Sequence, residues 1–138
     1  MATFNKVNQY VEDVQHGVHD FSTDQLVVAL TAAANAPVAT NTVLANLTQI
    51  SYTNLSTRNV TTASSGQTSG TYTLALTDLV LTASGGSVGP FRYVVLYNNT
   101  PTSPADPIVG WYDYGSDLTL ADGEQLTIDF AASSATLV

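Results

Sequence analysis

Glu12, His16, His19 and Asp20 fall within nine residues and form the one cluster in the chain whose residue types suit a metal ion. Glu12 and His16 stand at i,i+4, which puts both on one face if the segment is helical. Gly17 ends such a helix before His19, and the sequence has no third histidine and no cysteine to close a coordination shell. A solvated helix end, where imidazoles interact favourably with the helix dipole, accounts better for the pair. A second group, Asp113, Asp117, Asp122, Glu124 and Asp129, gathers carboxylates in the last quarter of the chain. It invites a calcium site or an acid–base pair. The spacing fits no Asp-x-Asp-x-Asp-Gly loop, Asp122 and Glu124 suit an ordinary hairpin turn, and Asp129 alternates outward on its strand.

Nucleophilic catalysis has less to build on. There is no cysteine and no Gly-x-Ser-x-Gly, and both histidines lie on one short segment near the N-terminus. The Gly-rich stretch Ser84 to Gly89 is followed by neither a lysine nor a helix start, so it reads as a turn rather than a phosphate cradle. These residues nominate no catalytic group, no metal site and no cofactor.

The aromatic residues Tyr93, Tyr97, Trp111, Tyr112 and Tyr114 allow two readings, a core or a contact surface. Their setting is the stretch from Gly89 to Gly115, which reads as two strands joined by a proline-rich loop. Phe91 to Tyr97 is largely apolar on both alternating faces, as expected of a central strand covered on each side. Ile108 to Tyr114 repeats the pattern, and the three prolines in Asn98–Pro107 prevent either strand from continuing. The aromatic strands therefore belong to the middle of the fold, with residues 98–107 as a projecting loop.

The elements around this hairpin follow from periodicity. Phe4, Val7, Tyr10, Val11 and Val14 recur at helical spacing, predicting one amphipathic helix over 4–15, with Asn5, Lys6, Asn8, Gln9, Glu12 and Asp13 on its polar side. Gln25 to Leu30 predicts a strand covered on both faces. Residues 41–50 suit a short helical turn, 55–62 a strand, and 64–70 a flexible polar loop. Tyr72, Leu74 and Leu76 share one face of a further strand. At Asp78 the phase slips, the mark of a bulge or sharp bend, and Leu79 and Leu81 continue the apolar face. Leu126, Ile128 and Phe130 face opposite Gln125, Thr127 and Asp129, a half-buried strand. The sum is seven or eight short strands, which predicts an all-β single domain over 1–138, a β-sandwich or jelly-roll-like fold with a short N-terminal α-helix. Residues 1–20 form its helical arm and 131–138 an apolar tail that adds an edge strand or packs on a neighbour.

Composition limits the partners. The 138 residues are 44% hydrophobic and only 10% charged, with three basic residues (Lys6, Arg58, Arg92) against eleven acidic ones and a net charge of −8. Such a surface lacks the Lys/Arg stripe that neutralises phosphates, so neither nucleic acid nor an anionic membrane is an expected partner, and a basic protein surface is left open. No apolar run approaches a membrane span, and the chain reads as soluble. The four Asn-x-Ser/Thr sequons, at Asn46, Asn54, Asn59 and Asn98, read as coincidences of a Thr- and Asn-rich composition.

Three segments, Phe4 to Asp20, Gln25 to Thr31, and Pro90 to Thr100 with Gly110 to Ser116, resemble small structural proteins of tailed-bacteriophage virions. The resemblance implies a non-enzymatic virion component made in the host cytoplasm, with a capsid decoration (cement) protein favoured. Such a protein binds the major capsid protein or another virion protein, commonly as a homo-oligomer and often a trimer. A tail or fibre component binding a host glycan or another tail protein is the alternative. Partner contact is expected at the helix (Phe4, Val7, Tyr10, Val11, Val14), the loop (Asn98, Asn99, Thr100, Pro101, Thr102, Pro104) and the C-terminus (Leu137, Val138).

Overall fold

The computed structural model describes residues 3–130; the expected tail, with Leu137 and Val138, lies outside the described residues. The fold is mostly antiparallel β-structure with one short helix, as the periodicity predicts. In chain order the elements are β1 (Phe4–Lys6), α1 (Gln9–Gln15), β2 (Leu26–Thr31), β3 (Asn59–Val60), β4 (Thr62–Thr68), β5 (Thr71–Leu76), β6 (Leu79–Thr82), β7 (Val88–Asn98), β8 (Ile108–Leu120) and β9 (Gln125–Ile128). A five-stranded sheet has the order β1-β8-β7-β2-β3, and β4-β5 and β6-β9 form two separate ribbons.

The long β7–β8 hairpin is the centre of this sheet, and the covered strand expected over 91–97 is its core: Phe91, Val94, Val95, Leu96 and Tyr97 are all buried. On its flank all six residues of β2 are buried and pair with β7 from Leu26↔Asn98 to Thr31↔Tyr93. The register aligns Leu30, Val94, Tyr112 and Phe4 in one row across four strands. Leu126 and Ile128 of β9 line a cleft with Val94 and Tyr112, and the Phe130 ring lies 6.2 Å from that of Tyr112, so the β6-β9 ribbon covers this face. The alternation read from Leu126, Ile128 and Phe130 is the one observed.

The other edge of β2 is closed in an unusual way. Strand β3 pairs only with Leu26 and Val27, because it is two residues long. Beyond it, the Val28 N–H donates to Arg58 O (3.0 Å), and the Arg58 guanidinium donates back to Val28 O (2.7 Å). The Leu30 N–H donates to the Tyr52 hydroxyl (2.9 Å), and Ile50 N–H donates to Leu30 O (3.0 Å). Side chains and a loop amide thus complete a ladder that a strand would otherwise supply, as buried backbone groups require. Arg58 also sits 3.7 Å above the Tyr52 ring, holding donor and acceptor together.

Three expectations are corrected and one is narrowed. The predicted helix over 4–15 is shorter: Phe4–Lys6 is an edge strand on β8, with Lys6 opposite Gly110, and α1 begins at Gln9. The flexible loop over 64–70 is mostly strand β4, joined to β5 by the two-residue turn Ser69-Gly70 with φ of 52° and 83°. Positive φ at both turn positions matches the right-handed twist of the flanking strands, and backbone pairing tolerates a Ser/Thr/Gln sequence on an exposed ribbon. The strand expected over 55–62 reduces to an isolated Leu55↔Ala83 bridge and β3. The slip at Asp78 falls where β5 ends and β6 begins, the bend of the two readings, and the Asp78 carboxylate accepts the Phe130 N–H (3.0 Å).

Two substitutions test these contacts. Tyr52→Phe leaves the buried Leu30 N–H without its acceptor, and equilibrium urea unfolding is expected to show a loss of about 1–3 kcal/mol. At Gly110 an added Cβ would run into Asn5 O and the Phe4 ring. Gly110→Ala is therefore expected to destabilise by about 1–3 kcal/mol, with amide exchange accelerated in β1 before the rest of the sheet.

Candidate functional site

Helix α1 is rotated relative to its hydrophobic pattern, so that only half of the apolar stripe faces inward. Val7, just before it, and Tyr10 are buried in the domain's own core, as is Asp13 at 4% exposure, whereas Val11 and Val14 are 52% and 40% exposed. The buried set is therefore i, i+3, i+6, and it includes a carboxylate that the sequence assigns to solvent. Asp13 Oδ1 accepts from Gln9 (3.2 Å), while its Oδ2 is buried without a hydrogen-bond partner. The magnitudes oppose this orientation for an isolated helix. A buried polar oxygen without a partner costs about 1–3 kcal/mol, and Val11 and Val14, each about half exposed, forgo about 1 kcal/mol of burial energy apiece. Val7 and Tyr10, anchored under the sheet, fix the rotation. An apolar surface left outward while a polar side chain is buried is the informative departure from ordinary patterning.

Val11 and Val14 open onto a cleft of about 370 Å³ bounded by α1, the 19–22 turn and the β4-β5 ribbon, with Lys6, Tyr10, Phe21 and Tyr72 also on its wall. Tyr10, His19 and Phe21 lie ring against ring, with centroids 5.3 Å (Tyr10 to His19) and 5.1 Å (His19 to Phe21) apart. Burial pushes the Tyr10 phenol up, with Tyr72 adding to the effect. Three of the hydroxyls on the cleft wall have partners: Ser65 shares a 2.7 Å hydrogen bond with Tyr72, and Ser22 Oγ donates to Asp20 Oδ1 (2.5 Å).

His19 is not the solvated helix-end residue expected. Its Nδ1 lies 3.1 Å from the Asn98 side-chain amide, which also donates to Asp24 Oδ2 (2.6 Å). The same Asp24 oxygen accepts the Asp20 N–H (2.8 Å). An amide donating to Nδ1 leaves the proton of a neutral ring on Nε2, which is buried without a partner. His16 does behave as expected, exposed and 3.7 Å from Glu12. Asn98, expected as a partner contact, is fully buried and serves as the knot between the 19–24 turn and the end of β7. Asn99 N–H donates to Gln25 O (2.9 Å) and Thr100 Oγ1 accepts from Gln25 N–H (2.8 Å), so the base of the proline-rich loop is tethered. Thr102 is exposed, and Pro101 and Pro104 are half-buried. Phe4 is half-buried with its ring 5.1 Å from that of Tyr112, so among the expected helix contacts only Val11 and Val14 face outward.

The carboxylates of the last quarter are dispersed. Asp113 makes a two-pronged contact with Arg92 (2.8 and 3.1 Å), which holds its carboxyl below the usual carboxylate range. Asp117 accepts from Ala33 N–H, Asp122 from Gly85 N–H and Glu124 from Ala121 N–H. Among the described residues no three His, Asp or Glu side chains converge to hold a metal ion, and no helix is long and apolar enough to cross a membrane. Of the aromatic set, Tyr93 and Trp111 are half-buried, Tyr97 and Tyr112 are core, and Tyr114 is half-exposed. Comparison with protein-family models, curated proteins and solved structures found no match to this chain.

The environment of His19 has a consequence for stability. Burial lowers its pKa, outweighing the nearby Asp13 and Asp24 carboxylates, which act in the opposite direction. The unfolded chain then takes up the proton first, so this contribution to stability is complete above the unfolded value of about 6.5 and is lost as pH falls below it. The urea midpoint is expected to drop between about pH 7 and pH 5.5, and His19→Gln to remove that part of the slope. A slope removed by His16→Gln and retained in His19→Gln would assign the effect to the wrong imidazole.

Proposed function

We propose that this protein is a non-enzymatic virion structural component, a capsid decoration protein that binds the assembled shell and stabilises it. The observation that carries the reading is the rotated helix: Val11 and Val14 stand exposed beside a cleft while Asp13 is buried, so a surface that covers the valines would add burial energy. The resemblance of Phe4 to Asp20, Gln25 to Thr31, and Pro90 to Thr100 with Gly110 to Ser116 to phage structural proteins supports the same reading. So does the chemistry of the chain. With no cysteine, its fold is independent of redox state, and its net charge of −8 favours orientation on a basic surface.

A ligand that binds the assembled shell and not its dispersed subunits shifts disassembly by mass action. Particles stripped of the protein are expected to release DNA at a lower temperature than intact ones, and re-addition is expected to restore the original value. An unchanged release temperature after complete stripping would remove the cementing role. Location of the protein on tails rather than heads by cryo-EM would replace it with the tail reading.

A further inference from the structure

The junction of His19, Asp24 and Asn98 has no slack in its hydrogen bonding. The Asn98 side-chain amide donates one hydrogen to Asp24 Oδ2 (2.6 Å) and the other to His19 Nδ1 (3.1 Å), and its Oδ1 accepts the Thr100 N–H (3.1 Å). Contact with a carboxylate fixes which end of the amide is nitrogen, so Nδ1 must accept and a neutral ring carries its proton on Nε2. A second proton can go only to Nδ1, where it points at a donor. Turning the amide over gives that proton an acceptor but sets Oδ1 against Asp24 Oδ2 and Nδ2 against the Thr100 N–H. Turning the ring over brings Cδ2–H, which accepts nothing, to Asn98. With Asn98 wholly buried, bulk water does not replace a lost partner, and no arrangement keeps all three bonds once the ring is charged.

Other bonds hang on the same junction. Asp24 Oδ2 also accepts the Asp20 N–H (2.8 Å), Gln25 N–H donates to Thr100 Oγ1 (2.8 Å), and Asn99 N–H donates to Gln25 O (2.9 Å). Together they tie the 19–24 turn to the base of the 98–107 loop. Ser22, Thr23, Asn99 and Thr100 are exposed, so these segments can separate without opening the sheet. The ring faces Tyr10 and Asp13 of α1 and Asp24 of its own turn, and β7 offers it only the uncharged Asn98. Asp20, Lys6 of β1 and Tyr72 of β5 stand on the same cleft wall. Burial disfavours the charged ring and outweighs Asp13 and Asp24, which favour it.

We propose that the His19–Asn98–Asp24 junction is a proton-operated latch: with neutral His19 it holds the 19–24 turn to the base of the 98–107 loop, and a proton on Nδ1 releases the two segments while the sheet stays folded. The latch is closed above the ordinary imidazole value of about 6.5 and opens progressively below it. It stands independently of the virion reading.

The test uses the full chain labelled with ¹⁵N. At about pH 7.5 the His19 ring is expected to be neutral with its hydrogen on Nε2; a neutral ring protonated on Nδ1 would overturn the proposal. Amide exchange, corrected for its intrinsic pH dependence, is expected to show the Asp20, Gln25 and Thr100 amides opening more often as pH falls, by up to about tenfold per pH unit below about 6.5. These openings are expected to be far more frequent than those of Val28 and Val95 and insensitive to low urea. His19→Gln is expected to abolish the pH dependence and His16→Gln to keep it. Should His19→Gln fail to fold, a dependence intact in His16→Gln still assigns it to His19, because the chain has two histidines. Openings independent of pH, a dependence lost in His16→Gln, or openings no more frequent than those of Val28 and Val95 would each overturn the latch, the last by making the release global unfolding.

Discussion

Strand β2 is buried along its whole length, and a buried strand must have its backbone polar groups matched on both edges. Most of the architecture answers that requirement. One edge is satisfied by β7, the longer partner, for all six residues. The other receives two residues of β3 and then the Arg58 guanidinium, the Tyr52 hydroxyl and the Ile50 amide. The long connection between β2 and β3 therefore lies fixed against the sheet despite having little regular structure, and Leu44, Leu47, Ile50 and Tyr52 pack on the core from it. Burial raises the Tyr52 phenol pKa even though the Leu30 amide and Arg58 favour its ionised form.

The same principle governs the end of the sheet near the cleft beside α1. Asn98 is fully buried at the last position of β7, and its side chain joins His19, Asp24 and Thr100. That network sets where the chain runs after α1, and so where Phe21 and His19 stand relative to Tyr10. The exposed face of α1 is a by-product of this geometry: with Val7 and Tyr10 directed into the core, Val11 and Val14 are left on the outer side and Asp13 on the inner.

The carboxylates illustrate the opposite outcome. Their abundance in the last quarter suggests chemistry, but four of them serve local structure: Asp113 clamps Arg92 across β7 and β8, while Asp117, Asp122 and Glu124 each accept a backbone amide. Where lysine is nearly absent, carboxylates that would ordinarily face counter-ions on the surface are matched by main-chain donors instead.

Local periodicity was enough to determine the strand class of β2, β5, the β7–β8 hairpin and the segment ending at Phe130, because alternation of side chains between two faces is a property of the strand itself. Composition likewise disfavoured phosphate-rich partners. Three features depended on tertiary structure. The Ser/Thr-rich β4 is a strand only because β5 returns alongside it, and backbone pairing leaves no mark in side-chain polarity. The shortening of the N-terminal helix depends on β8 offering an edge at Gly110. The rotation of α1 is set by Val7 and Tyr10 filling space beneath the sheet, against the preference of Asp13, so the helix's own pattern shows a stripe but not which half of it faces inward. Segments distant in sequence bring Asn98 to His19 and Tyr72 to Tyr10, and no local spacing rule encodes such meetings.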